Sequence, residues 1–155
     1  MKILFLDVDN VICTPRYNLV AENLWRDFDP VACNIVKKIC EETDCLIVLS
    51  SSWGRADWTY EKFLDSTAKA CPDLMKYFHA NDFRLLKNNY TNETRSESIA
   101  KWLERHPEVE TYAILDDVCS YGKCVEEVDE HLVLCDVNTG VGFEEYLDVC
   151  KLLRL

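Results

Sequence analysis

Ile3-Leu4-Phe5-Leu6-Asp7-Val8-Asp9 places two acidic residues directly after an apolar run of strand length. Carboxylates beside a hydrophobic core are costly unless they are paired or bound to a metal ion. Asp7 and Asp9 lie on the same side of an extended chain, because side chains alternate between its two faces. Two converging carboxylates suit a hard divalent cation such as Mg²⁺, and one of them could also attack phosphorus. The alternative is an ordinary acidic turn after a strand.

Composition limits the classes of protein to which the chain can belong. Its 155 residues fit one domain that is large enough to bury a hydrophobic core. With 17 basic and 28 acidic residues, the net charge of −11 argues against a broad basic surface for nucleic acid, although a local basic pocket is compatible with it. The N-terminal apolar run is short and is interrupted by Asp7, which predicts neither a signal peptide nor a membrane span.

The nine cysteines lie scattered through the chain, mostly within apolar runs and without a Cys-x-x-Cys pair. Their odd number and irregular spacing argue against a disulfide framework and favour buried thiols in a reducing compartment. We therefore expect a cytoplasmic protein whose residues 1–155 form a single domain, without a linker, repeat or low-complexity segment.

Strand-like and helix-like patterns alternate along the chain. Strands are predicted at 3–6, 45–49, 111–115 and 131–135, with a further short strand at 77–79. Helices are predicted at 30–42, 56–70, 94–106 and 143–153, and the segment 13–26 is interpreted as a flap. Asp29-Pro30 is typical of a helix N-terminus, and Thr94-Arg95-Ser96-Glu97 matches a capping box. The alternation predicts a Rossmann-like α/β fold, a three-layer α/β/α sandwich around a central parallel sheet.

Three of the predicted strands end in polar residues. Asp7 and Asp9 follow the first strand, Ser50-Ser51-Ser52 follow the second, and Asp116 and Asp117 follow the third. Ligands of open parallel sheets bind beyond the carboxyl ends of the strands, so we expect these residues to form one site. Four carboxylates gathered there would repel one another without a cation, which indicates bound Mg²⁺. A nucleophile, a metal, a proton shuttle and hydroxyl groups that bind an oxyanion are the components of phosphoryl transfer.

The order of these motifs resembles the haloacid dehalogenase (HAD) superfamily of aspartate-nucleophile phosphotransferases. Its first, second and fourth motifs are matched by three strand ends: Leu6-Asp7-Val8-Asp9, Val48-Leu49-Ser50-Ser51 and Leu115-Asp116-Asp117. Its third motif is a Lys or Arg near the start of the helix before the last of these strands, and Arg95 is the closest match. Within the superfamily, the chain looks most like the small phosphatase-like domains of phage and bacterial RNA-repair proteins.

The resemblance implies a role for each acidic residue. Asp7 would attack phosphorus and form an aspartyl-phosphate, while Asp9 would protonate the leaving group and later activate the hydrolytic water. Asp7, Asp116 and the backbone carbonyl of Asp9 would hold Mg²⁺. Asp117 would assist the metal directly or through water.

The resemblance also implies three phosphate-binding residues. Ser51 would bind the transferring phosphoryl group, and Ser50 is the alternative. Arg95 would neutralise charge on the phosphate and on the nucleophile. Because the family more often has Lys in this place, Lys87 and Lys101 are alternatives to Arg95, although Lys101 is expected to face solvent.

Several other residues could bind ligands but are more simply interpreted as structural. Trp53 is expected to pack in the core rather than to stack on a base. His79, His106 and His131 show no metal-ligand spacing and are expected to be structural or exposed. Gly140-Val141-Gly142 indicates a turn before the last helix rather than a phosphate loop.

The intervals between the motifs leave no room for a large cap domain. By analogy with the family, an open site suits a large phosphorylated substrate or a partner that completes the pocket. We predict a Mg²⁺-dependent phosphate monoester hydrolase that acts on a nucleotide or a nucleic-acid end, with no membrane partner. The alternatives are a phosphoprotein phosphatase and a non-catalytic binding or regulatory domain. The intact pair Asp7 and Asp9 argues against a binding domain, which needs neither a nucleophile nor an acid/base.

Overall fold

A central sheet of four parallel strands organises the chain. The structure is a computed structural model that describes residues 1–21, 27–117 and 121–154. The strands are β1 (Lys2–Leu6), β2 (Leu46–Leu49), β3 (Thr111–Asp117) and β4 (Leu132–Cys135). They lie in the order β2-β1-β3-β4, which confirms the four main predicted strands and the parallel sheet. Because β1 lies between β2 and β3, the carboxyl ends of these three strands adjoin one another.

Helices cover both faces of this sheet. In the described part of the chain they are α1 (Pro15–Asn18), α2 (Pro30–Thr43), α3 (Asp57–Ala70), α4 (Arg95–Glu104), α5 (Glu126–Asp129) and α6 (Phe143–Leu153). Short 3₁₀ helices follow β2 and α3, at Ser52–Gly54 and Pro72–Tyr77. None of the helices within the described residues is long and apolar enough to cross a bilayer.

Alternating residues of β1 divide the hydrophobic core into two layers. Leu4 and Leu6 belong to a cluster that includes buried residues of α2, α3 and α6. Ile3 and Phe5 face the opposite side, in a cluster with residues of α4 and α5 such as Trp102. A strand that is buried on both faces requires a continuous apolar sequence, as β1 has. The two layers confirm the predicted α/β/α sandwich, and the described residues include no large cap.

Side-chain caps set the starts of two helices. The carboxylate of Asp29 accepts hydrogen bonds from the backbone N–H groups of Val31 and Ala32, and Pro30 occupies the first turn of α2. Thr94 and Glu97 form the predicted capping box at the start of α4. The second cap determines where α4 begins and therefore fixes the position of its first residue, Arg95.

The predicted strand at 77–79 is wrong. Tyr77 ends the second 3₁₀ helix, and Phe78 makes only an isolated bridge to Ile47 of β2. The backbone N–H of His79 donates to the carbonyl of Ile47 at 2.9 Å, so the chain touches the sheet without continuing along it. An apolar residue that makes a single bridge to an edge strand gives the same local sequence pattern as a residue of a short strand.

A second segment covers the same outer edge of β2. The N–H of Leu49 donates to the carbonyl of Phe83 at 2.7 Å, and the N–H of Leu85 donates to the carbonyl of Leu49 at 3.0 Å. These bonds occupy the polar groups of an edge strand that would otherwise be open to another chain. They also hold the loop that follows residue 83 beside the end of β2.

The predicted flap at 13–26 is described only as far as residue 21. Thr14 caps the short helix α1, and its hydroxyl donates to the carboxylate of Asp29 at 3.0 Å. Residues 22–26 lie outside the described part of the chain. The predicted turn at Gly140-Val141-Gly142 packs beside this region, where the N–H of Val141 donates to the carbonyl of Val11 at 3.0 Å.

The cysteines of the described residues are free thiols. Seven are buried, and Cys124 is exposed. This distribution agrees with the expectation of buried thiols rather than a disulfide framework.

Candidate active site

Three carboxylates meet at the carboxyl ends of β1 and β3. Asp7, Asp116 and Asp117 each offer an oxygen atom, and these atoms lie within 4.8 Å of one another. All three residues are buried, and Asp7, the most exposed of them, has only 2% of its surface accessible to solvent. The strand register causes this proximity, because Leu6 pairs with Leu115 and the N–H of Asp7 donates to the Leu115 carbonyl at 3.0 Å. We call Asp7, Asp116 and Asp117 the carboxylate cluster.

The carboxylate cluster is electrostatically unfavourable without a cation. Burial raises the pKa of Asp7 well above its usual value, and the negative charge of Asp116 raises it further. The positive charge of Arg95 opposes both effects on that pKa. Closely spaced carboxylate oxygens are ligands suited to a hard divalent cation. The carboxylate cluster can therefore hold a metal ion.

Asn10 stabilises one member of the cluster and the turn after β1. Its Nδ2 donates to Oδ2 of Asp117 at 2.8 Å, and its backbone is left-handed, with φ of 63°. Asn tolerates this conformation better than most residues with a side chain, which explains an Asn at a turn that passes close to the site. The sequence signal was the Asp-Asn pair after β1, but only the fold shows its partner on β3.

Asp9 lies outside the cluster, at the exposed rim of the site. Its two carboxylate oxygens accept hydrogen bonds from Nε1 of Trp53 at 3.1 and 3.2 Å. Desolvation raises the pKa of Asp9, while the hydrogen bond from Trp53 opposes this shift. The carboxylate is thus free of the cluster and held at a defined place, and the metal contact through the Asp9 backbone carbonyl stays a prediction.

Trp53 combines the expected packing with a contact that sequence reasoning missed. Its ring packs edge to face on Phe28, with a centroid separation of 5.3 Å, as expected for a residue beside the core. Its N–H reaches the carboxylate of Asp9, which lies 44 positions earlier in the chain. The sequence placed both residues at neighbouring strand ends, but only the side-chain orientations show that they meet.

The two candidate serines occupy the end of β2 in different hydrogen-bonding states. The backbone N–H of Ser50 donates to the carbonyl of Leu6 at 2.8 Å, which places this residue beside Asp7 in the sheet. Its hydroxyl is buried and makes no hydrogen bond to any described residue. The hydroxyl oxygen of Ser51 accepts a hydrogen bond from the N–H of Trp53 at 3.3 Å and caps the first 3₁₀ helix. Either hydroxyl retains a hydrogen to donate, and phosphate binding by Ser51 or Ser50 stays a prediction.

Arg95 is the cation whose charge acts on both aspartates after β1. Its positive charge lowers the pKa of Asp7 and that of Asp9, against the larger effect of burial. Its Nη1 atom is buried and has no hydrogen-bond partner among the described residues. Lys87 is exposed, and Lys101 is exposed and forms an ion pair with Glu93. The solvent-facing position predicted for Lys101 is confirmed, and the third-motif role of Arg95 stays a prediction.

A second group of potential metal ligands lies apart from the strand ends. His79 and His106 approach each other and Glu108, although the sequence gave no metal-ligand spacing. Nδ1 of His79 accepts hydrogen bonds from the backbone N–H groups of Asn81 and Asp82, at 3.4 and 3.2 Å. A neutral imidazole binds a metal through its unprotonated nitrogen, and in His79 that nitrogen is already engaged by the two backbone N–H groups. We therefore retain a structural role for His79.

Asp7→Asn is expected to stabilise the metal-free protein by about 1–2 kcal/mol, because it removes a buried charge from the cluster. The raised pKa of Asp7 means that the folded state binds more protons than the unfolded state. The stabilisation of Asp7→Asn relative to the wild type should therefore increase as the pH rises above the usual pKa of a carboxyl group. Urea unfolding at several pH values measures it.

The exposed Asp65, on α3, provides a matched control. Asp65→Asn should change the stability little at any pH. Addition of Mg²⁺ should stabilise the wild type and Asp65→Asn but not Asp7→Asn. An equal stabilisation of all three proteins by Mg²⁺ would show that the metal binds elsewhere.

Comparison with known proteins identifies the family of the chain. A family model described as the HAD domain in Swiss Army Knife RNA repair proteins matches residues 3–145. No curated protein and no solved structure gives a significant match. The matched range begins within β1 and ends in the first turn of α6, so it includes every strand of the sheet and all the site residues described above. The resemblance inferred from the motifs is thereby confirmed, and the chain belongs to the HAD domains of Swiss Army Knife RNA repair proteins.

Proposed function

We propose that this chain is a Mg²⁺-dependent phosphate monoester hydrolase that forms an aspartyl-phosphate on Asp7. The observation that carries the proposal is the buried carboxylate cluster with Arg95 beside it and a separate carboxylate, Asp9, at its rim. A binding domain could use the cluster to hold a metal ion, but it would not need the separate carboxylate of Asp9. A phosphoryl-transfer site uses all of these groups.

The first half-reaction transfers the phosphoryl group to the protein. A carboxylate oxygen of Asp7 attacks phosphorus, and the bond from phosphorus to the leaving oxygen breaks. Asp9, in its protonated form, donates its proton to that leaving oxygen. The guanidinium of Arg95 and a serine hydroxyl at the end of β2 stabilise negative charge on the phosphoryl oxygens. When bound by the carboxylate cluster, Mg²⁺ offsets the repulsion between the anionic substrate and Asp7.

The second half-reaction returns Asp7 to its starting state. Asp9, now a carboxylate, accepts a proton from a water molecule as the water oxygen attacks phosphorus. The bond between phosphorus and the Asp7 oxygen breaks, which releases inorganic phosphate. The place of Asp9 outside the cluster supports this double role, because its carboxylate can reach solvent and the leaving group without being a metal ligand.

The substrate that we propose is the phosphorylated end of an RNA strand. The family to which the chain belongs is described as occurring in RNA repair proteins, which supports a strand end as the substrate. The described residues include no large cap, and Asp9 lies at an exposed rim, so a polymer end could enter. The net charge of −11 requires that binding relies on local contacts near the site.

Hydrolysis of an aryl phosphate tests the activity independently of the natural substrate. The wild type should require Mg²⁺, and Asp7→Asn should lower turnover by more than about 10³-fold, because the nucleophile is lost. Asp65→Asn serves as the control and should retain full activity. Full activity in Asp7→Asn would contradict the mechanism. With activity established, phosphorylated oligoribonucleotides and phosphopeptides compared at equal concentration would identify the substrate class.

Trp53→Phe should lower the turnover of substrates with poor leaving groups more than that of substrates with good leaving groups. The change keeps an aromatic ring against Phe28 but removes the N–H that holds Asp9. Poor leaving groups such as alkyl alcohols need the proton from Asp9, so their turnover should fall by about tenfold or more. An activated aryl phosphate needs little proton donation and provides the internal control. Equal losses for both substrates would indicate a general structural effect instead of a role in positioning Asp9.

A further inference from the structure

Two large aromatic side chains are exposed to solvent on segments that follow β2 in the chain. Trp58, near the start of α3, is 64% exposed, and Tyr90, in the loop before α4, is 70% exposed. Each has a cationic partner over its ring: the Lys62 ammonium lies 5.0 Å from the centre of Trp58, and the Arg55 guanidinium lies 6.0 Å from the centre of Tyr90. We call Arg55, Trp58, Lys62 and Tyr90 the aromatic strip.

The aromatic strip lies on segments that adjoin the active site along the chain. The indole N–H of Trp53 donates to Asp9, and Arg55 follows directly after the 3₁₀ helix that contains Trp53. The carbonyl of Arg55 accepts a hydrogen bond from the N–H of Asn88 at 2.9 Å, which holds the loop that carries Tyr90. Arg55 and Tyr90 therefore lie on segments next to the 3₁₀ helix of Trp53, and Trp58 and Lys62 follow on the first turns of α3.

Arg84 connects the two elements from which the strip begins, the 3₁₀ helix after β2 and the start of α3. Its Nε donates to the carbonyl of Gly54 at 2.9 Å, and its Nη1 pairs with Asp57 at 3.0 Å. Because Asp57 is paired in this way, its negative charge is largely offset next to Trp58. Arg55, Lys62 and the exposed Lys87 supply cations to this part of the surface, where the exposed acids Glu61 and Asp65 also lie, so its charge is mixed.

Exposed aromatic rings combined with cations are suited to an unpaired nucleic-acid strand. Every base has an apolar face that can stack on an aromatic ring, and the phosphates between bases are attracted to neighbouring cations. Base pairs of a duplex do not offer these faces, since they are stacked on one another. A surface with few cations, such as this one, would depend on stacking more than on charge.

We propose that the aromatic strip binds the unpaired nucleotides next to the phosphorylated end, with bases stacked on Trp58 and Tyr90. Arg55 and Lys62 face the phosphates that link these nucleotides. The inference rests on the proposed phosphatase function and narrows its substrate to a single-stranded polynucleotide end. It also gives the direction of the strand, which leaves the site past Trp53 toward the start of α3.

Binding of labelled oligonucleotides tests the proposal without relying on turnover. The assay is fluorescence anisotropy with the Asp7→Asn protein, which cannot turn the substrate over, and short phosphorylated oligoribonucleotides, either single-stranded or annealed to a complement. Trp58→Ala and Tyr90→Ala should each weaken binding of the single strand by about tenfold, the loss expected for one stacked base. Phe143→Ala removes a 71% exposed aromatic residue on α6 and should leave binding unchanged.

The outcomes separate this inference from the proposed function. Unchanged affinity in both Trp58→Ala and Tyr90→Ala, or equal affinity for single strand and duplex, would overturn the strip as a binding site. A phosphopeptide that binds more tightly than the oligonucleotide and loses affinity in these variants would also overturn it, in favour of a protein partner. Failure of the wild type to hydrolyse an aryl phosphate would contradict the proposed function, while the anisotropy result would still stand by itself. Unchanged thermal unfolding of each variant verifies that the fold is intact.

Discussion

The pairing of β1 with β3 holds three carboxylates together where their charges oppose one another. Hydrogen bonds between the strands, such as that from Asp7 to Leu115, fix the backbone so that the side chains cannot separate. The apolar residues before Asp7 and Asp116 bury both strands on two faces, so water cannot screen the repulsion. The fold therefore maintains a locally unfavourable arrangement at the expense of stability, which is common at functional sites.

The neighbouring strand β2 supplies the groups that would act on a substrate. Its pairing with β1 places Ser50 next to Leu6, and the 3₁₀ helix that follows brings Trp53 to Asp9. The same helix continues into the segment that carries the aromatic strip. Because the loop after residue 83 is hydrogen-bonded along the outer edge of β2, the strand that positions the site also positions the proposed path of the substrate.

Features that depend on local sequence could be predicted well. The apolar runs fixed the four strands, and the capping box at Thr94 determined where α4 begins and thus where Arg95 lies. The approach of Asp7 to Asp116 followed from a general rule for parallel sheets. These inferences required only periodicity, capping chemistry and topology.

Features that depend on side-chain orientation could not be predicted in this way. The contact of Trp53 with Asp9, and that of Asn10 with Asp117, join residues on different elements. The approach of His79 to His106 depends on how α4 packs beside the edge of β2, which no motif spacing records. The false strand at 77–79 has the same origin, because a single bridge to an edge strand leaves no distinct pattern.

The most direct test of the central claim is to identify the residue that carries the phosphoryl group. Asp9→Asn should still form the intermediate with an activated aryl phosphate and Mg²⁺, but it should hydrolyse it slowly, because water is not activated. Acid quenching and peptide mass mapping should then find the mass of one phosphoryl group on the peptide that contains Asp7, and only when Mg²⁺ is present. A phosphoryl group on another residue, or rapid turnover without any phosphorylated peptide, would contradict Asp7 as the nucleophile.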